Sequence, residues 1–182
     1  MKLLHAVAAL IVATVAVAGD GSTVFVEQVL EPIGGKIQRP KDWYYTEAHR
    51  GTTYRWIISK EDVSGGKRYK TGLSLQTFVG VKEKTGKTAE QFIREVVASK
   101  AGTTKTLREC QATSQGMFVR MCLETEEGPY RISYSLFWGA DGLDIAVVSV
   151  AGAPKEEWQR YQPVFERMAV FEIIDMKRFP KR

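Results

Sequence analysis

Covalent chemistry in a protein needs nucleophiles, bases or metal ligands, and this chain carries few of them. Its histidines are His5 and His49, and its cysteines are Cys110 and Cys122. His5 lies in an apolar leader, so His49 is the one imidazole left in a processed chain. Serine or cysteine triads, His-rich zinc sites and two-His metal sites all need imidazoles this chain lacks. His49 itself falls in the polar stretch Thr46-Glu47-Ala48-His49-Arg50-Gly51, which reads as a solvated loop.

Carboxylates cluster at Glu61-Asp62, Glu124-Thr125-Glu126-Glu127 and Glu156-Glu157. Glycoside hydrolysis needs two of them converging in a cleft, and calcium needs ligands at regular loop spacing. Neither pattern is present. The pairs read as solvated turns, and Glu156-Glu157 as favourable first-turn charges behind Pro154. The segment Gly80-Val-Lys-Glu-Lys-Thr-Gly86-Lys87-Thr88 lies between a strand and a helix, as a phosphate-binding loop does. Five residues separate its glycines where that loop has four, and the added residue changes which backbone N–H groups converge. It reads as a polar turn ending in a helix cap. The expectation is a non-enzymatic protein with no catalytic, cofactor-binding or metal-binding residues.

Lys2 is followed by an almost unbroken apolar run, Ala6 to Ala18, which ends in the small-x-small triplet Ala16-Val17-Ala18 before Gly19-Asp20. That is the pattern of a secretory signal peptide, and it is shorter than the roughly 20 residues a spanning helix needs. No cysteine follows the cleavage point, so the processed chain is expected to be soluble and periplasmic, or alternatively secreted, with no membrane segment after cleavage. In that compartment the two cysteines are expected to form a disulfide, Cys110–Cys122. They lie on adjacent arms of an expected hairpin. A two-residue turn at Ser114-Gln115 opposes Cys110 to Val119, so direct pairing with Cys122 needs a five-residue loop or a bulge.

The elements follow from periodicity. Residues 19–35 support a short leading strand or an extended arm. Trp43-Tyr44-Tyr45 and Thr53 to Ser59 read as strands around a turn near Arg50-Gly51, and Leu73 to Val81 as a third strand after the charged loop Lys60 to Lys70. Thr88 and Gln91 form a capping box, and a helix runs from there to Ser99-Lys100, ended by Ala101-Gly102. Four strands follow as two hairpins: Thr106 to Ala112 with Met117 to Glu124, and Pro129 to Trp138 with Leu143 to Ala151. Trp158, Tyr161, Phe165, Met168 and Ala169 mark a second helix, with Pro163 expected to kink or divide it near Tyr161-Gln162. The reading is one α+β domain, residues 36–175, with a mainly antiparallel sheet of about six to seven strands packed with helices, and a basic tail at 176–182.

The chain has 26 Lys and Arg against 21 Asp and Glu, a net charge of +5, and 44% hydrophobic residues. Its charges are interspersed, with no basic arm for nucleic acid. Tyr130, Tyr134 and Trp138 share a strand face with Ile132 and Leu136. The opposite face, Arg131, Ser133, Ser135 and Phe137, is small and polar, and less complete cover there leaves a shallow groove. The partner is expected at the loop Lys60 to Lys70, where Lys67, Arg68, Tyr69 and Lys70 join mobility and charge to an aromatic ring, with Trp43, Tyr44 and Tyr45 as neighbours.

Several phrases look like the PsbP-like superfamily, particularly its bacterial DcrB-like branch: Arg39-Pro40-Lys41-Asp42-Trp43, Ser59-Lys60-Glu61-Asp62, Thr71-Gly72-Leu73-Ser74-Leu75, Tyr130-Arg131-Ile132-Ser133-Tyr134, and Glu157-Trp158 with Phe165-Glu166-Arg167-Met168. The likeness covers residues 36–172. It implies an antiparallel sheet between helices, an α/β/α sandwich, and a non-enzymatic protein-binding or assembly module of the envelope whose partner is another protein. The alternative class is a small-ligand carrier or a carboxylate-dependent hydrolase of the cell envelope.

Overall fold

The computed structural model describes residues 23–175 and Lys177; the leader and the rest of the basic tail lie outside them. In chain order the elements are β1 (Phe25–Leu30), β2 (Gly34–Pro40), β3 (Tyr44–Glu47), β4 (Thr53–Ser59), β5 (Gly72–Val79), α1 (Val81–Thr85), α2 (Ala89–Thr103), β6 (Lys105–Gln115), β7 (Phe118–Glu127), β8 (Tyr130–Gly139), β9 (Ile145–Pro154), α3 (Trp158–Met168) and β10 (Phe171–Ile174). Short 3-10 turns lie at Ser64–Gly66 and Lys155–Glu157. The α+β expectation holds, with a main antiparallel sheet of seven strands in the order β3-β4-β5-β9-β8-β7-β6.

Successive side chains of a strand point to opposite faces, and this sheet uses both faces as core. One face carries Met121, Leu123, Tyr134, Leu136 and Ala146, covered by Ile93 and Val97 of α2. The other carries Trp56, Ile58, Leu73, Leu75 and Val147, covered by Tyr161, Phe165 and Met168 of α3 and by a small second sheet. That sheet, β1-β2-β10, was not foreseen. The segment read as a short leading strand or an extended arm forms the strand β1 and enters β2, and Leu30, Ile33 and Ile37 are at most 1% exposed. It belongs to the core because these three residues supply the cover that α3 alone is too short to give. The Trp56 indole fastens the connection by donating to the Glu31 carbonyl at 3.0 Å.

The capping box at Thr88 is present: Thr88 Oγ1 accepts from the Gln91 N–H, and Gln91 Oε1 accepts from the Thr88 N–H. At the other end α2 runs through Gly102 to Thr103. The stop comes from hydroxyls, Thr103 donating to the Ser99 carbonyl at 2.8 Å and Thr104 to that of Lys100 at 2.7 Å. The Gly80–Gly86 segment folds as the single-turn α1 between two left-handed glycines. The second amide of that turn, Lys82 N–H, donates to the Asp144 carboxylate at 3.0 Å. α3 runs unbroken through Pro163, and its junction with a 3-10 turn lies earlier, at Glu157–Trp158.

Cys110 and Cys122 are bonded and stand directly opposite each other, with Cα atoms 4.9 Å apart. The turn lies at Gly116-Met117, two residues later than the hairpin reading placed it, so Gln115 opposes Phe118. A bulge between Cys110 and Thr113 then puts one extra residue in β6 and brings the two cysteines into register. No helix among the described residues is long and apolar enough to cross a membrane.

Candidate functional site

The loop and aromatic cluster expected to bind a partner is divided by the sheet. Trp43, Tyr44 and Tyr45 are consecutive, and the strand period sends neighbours to opposite faces. Trp43 meets Tyr161 and Phe165 edge-on, with ring centroids 6.0 and 6.1 Å away. Tyr45 faces the same core and donates to Glu47 at 2.6 Å; burial and that carboxylate push its phenol well above the ordinary range. Lys60, at the start of the loop, lies 5.1 Å over the Tyr161 ring on that same side, whereas Val63 to Tyr69 lie across the opposite face, over Arg55 and Ile57. Lys67, Arg68 and Lys70 are exposed there, as is Tyr44. Tyr69 is half-buried, which raises its pKa. The loop is also pinned: Glu61 Oε2 accepts from the Lys70 and Thr71 amides at 3.2 and 3.1 Å, and Asp62 accepts from the amide and hydroxyl of Ser64, both at 2.8 Å. Those bonds hold the Asp62 carboxyl below its ordinary value.

The small polar face of β8 does line a groove. On this side α3 packs against β9 and against β2 of the small sheet, and the groove lies between it and residues of β6, β7 and β8. The groove holds about 260 Å³. Trp158, Gln162, Phe165 and Val170 form one wall; Ser133, Ser135, Ser149, Arg108, Arg120 and Glu124 belong to the floor and far side. Val170, at 76% exposed, stands at its lip.

Three arginines serve this face in different states. Arg131 is neutralised by Glu124, with Nε and Oε1 2.5 Å apart, and its guanidinium lies 5.2 Å over the Trp158 ring. Arg120 donates from Nη2 to Ser135 Oγ at 3.1 Å and lies 5.9 Å from the Phe137 ring centre. Arg108 comes no nearer a partner than Cys122 Sγ, 3.9 Å away. Cys122 is in register with Ser135, so the disulfide stands on the groove side and fastens β6, with Arg108, beside the floor.

Sequence reading found Ser133 and Ser135 but missed Arg108, Arg120, Ser149 and Gln162. The parity of β7 carries the signal, because Arg120, Cys122 and Glu124 alternate with Val119, Met121 and Leu123. His49 lies away from the groove. Its Nδ1 accepts from the Arg55 N–H at 3.3 Å, which leaves Nε2 to donate to Glu47 at 3.2 Å. No cluster of three or more His, Cys, Asp or Glu able to hold a metal ion occurs among the described residues.

No protein-family model matches the chain, and no curated protein sequence does. Its architecture is found among solved structures. The solution structure of cyanobacterial PsbP (CyanoP) from Synechocystis sp. PCC 6803 superposes with a TM-score of 0.51 at 12% identity, covering 85% of this chain and 95% of that one. At this identity the likeness is one of fold: the chain has a PsbP-like fold, an antiparallel sheet packed with helices.

Proposed function

We propose that the protein is a non-enzymatic, soluble module of the bacterial envelope, periplasmic after loss of residues 1–18, that binds another protein through the groove beside α3. The same reading puts it with the DcrB-like branch of PsbP-like proteins. The observation that carries it is the groove itself, where hydroxyl-bearing residues of the floor and aromatic residues of α3 meet beside the exposed Val170. The carboxylates nearest to a hydrolytic arrangement do not favour catalysis. Glu124 is engaged by Arg131 and Glu166 by Gln162 at 2.9 Å, so neither is placed as a free acid or base.

The test is paired capture from an envelope extract. Ser133→Trp fills the groove, whereas Lys67→Ala with Arg68→Ala removes charge from the loop on the opposite face. Loss of a specific captured protein with the first variant and its retention with the second supports the groove. The reverse pattern transfers the interaction to the loop, and mass measurement of the exported protein should show a first residue of Gly19.

A further inference from the structure

We infer that the groove recognises a carboxylate carried on an apolar group. This rests on the reading of the groove as a recognition site and adds the chemistry of what enters it. Two residues that line the groove, Arg120 and Trp158, each carry a buried N–H, Nε and Nε1, with no hydrogen-bond acceptor among the described residues. Trp158 as a whole is 3% exposed. A buried N–H without an acceptor is costly, and two beside one cavity call for a ligand that supplies oxygen acceptors.

Charge selects the kind of acceptor. Glu124 is cancelled by Arg131, and neither Arg120 nor Arg108 has a carboxylate within 4.0 Å among the described residues. That leaves two cations facing the space, with Glu166 on the α3 wall opposing them. The surplus suits a monoanion better than a phosphate dianion, and a guanidinium fork matches the planar carboxylate. Val170, exposed at the lip, offers apolar surface for the group bearing it, with the buried Trp158 and Phe165 behind it. The floor is held in shape for this, because Arg120 is bonded to Ser135 and the neighbouring strand is fixed by the disulfide. Such a carboxylate comes from a free organic acid or from the C-terminus of a partner protein ending in an apolar residue.

The test uses the full processed protein and four probes: 3-phenylpropionate, its uncharged amide, and a short peptide ending in Phe with either a free or an amidated C-terminus. Binding is read by calorimetry and by the Trp158 indole N–H resonance, assigned with Trp158→Phe. At least one acid should shift that resonance and bind about tenfold or more tighter than its amide. Arg120→Gln should erase that preference, and Arg120→Lys should keep part of it. Should Arg120→Gln fail to fold, Arg108→Gln, at an exposed position, should weaken acid binding several-fold. Tighter binding of the peptide acid points to a protein C-terminus, and tighter binding of phenylpropionate to a free acid. Equal binding of acid and amide, or no shift at Trp158 with either acid at millimolar concentration, overturns the inference. Equal peptide binding with the Trp158 shift retained leaves the groove as a recognition site and removes the carboxylate.

Discussion

Arg68 and Tyr69 are neighbours in the chain but not in environment. Arg68 is exposed, while Tyr69 is half-buried against β5, where a Cβ on Gly72 would lie 2.9 Å from its Cδ2. Tyr69→Ala should therefore cost about 2 kcal/mol, and Arg68→Ala less than about 0.5, measured by denaturant unfolding. Equal effects would show that the ring is not packed as described. A second expectation concerns acid. Hydrogen bonds from Lys105 and Lys155 hold the Glu126 carboxyl below its ordinary 4.5, and those from Ser64 hold Asp62 below 3.8. Both folded-state values lie under the unfolded ones, so the unfolded chain binds more protons as pH falls. Their stabilisation is complete above pH 4.5 and is lost below it, through 3.8 and downward. Tm should hold steady on the neutral side and decline in that window, and Glu126→Gln with Asp62→Asn should decline less steeply; identical slopes would remove these two groups as the cause.

At the scale of elements, the disulfide was legible because the two cysteines lie on adjacent arms of one hairpin; direct pairing needed a five-residue loop or a bulge, and β6 contains a bulge between Cys110 and Thr113. Replacing both cysteines by Ser should cost about 2–3 kcal/mol by the chain-entropy account of a closed loop this short. The loss should be read as a lower Tm together with faster amide exchange along β6, and reduction of the native protein should reproduce it. An unchanged Tm would mean that the bulged pairing holds without the bond. Strands β4, β5, β8 and β9 could be read because β-branched and aromatic residues alternate along them over at least seven positions. β2 and β10 could not. β2 opens with Gly34-Gly35 and alternates Ile37 with charged and polar neighbours, and β10 has only four residues, too few to show a period. Half of the groove was legible in the serines of β8. The other half depended on which strand lies beside it, which pairing decides and local sequence does not.

Across the whole molecule, the two ends of the domain meet at β2 and β10. Gly35 is the point of closest approach: a Cβ there would lie 2.4 Å from the Ile173 carbonyl oxygen and 2.6 Å from that of Glu172. Backbone oxygens give way only if the strand moves, so Gly35→Ala should cost about 3 kcal/mol and raise amide exchange first in β10 and β2. Uniform loss of protection over all strands would instead mean that the small sheet is not a separable unit. Its placement also bears on how the protein is made. β6 to β9 are consecutive hairpin partners and can pair as each follows the last, but β5 must wait for β9, and β2 for β10. A ribosome or a translocation channel that delivers the chain from its amino end releases β10 last among these strands. Until then Ile37 has no partner strand on that side, and the face of Leu30 and Ile33 stays open. Completion of the fold therefore waits for β10, which keeps the earlier part of the domain threadable and leaves a chain without β10 open to proteolysis.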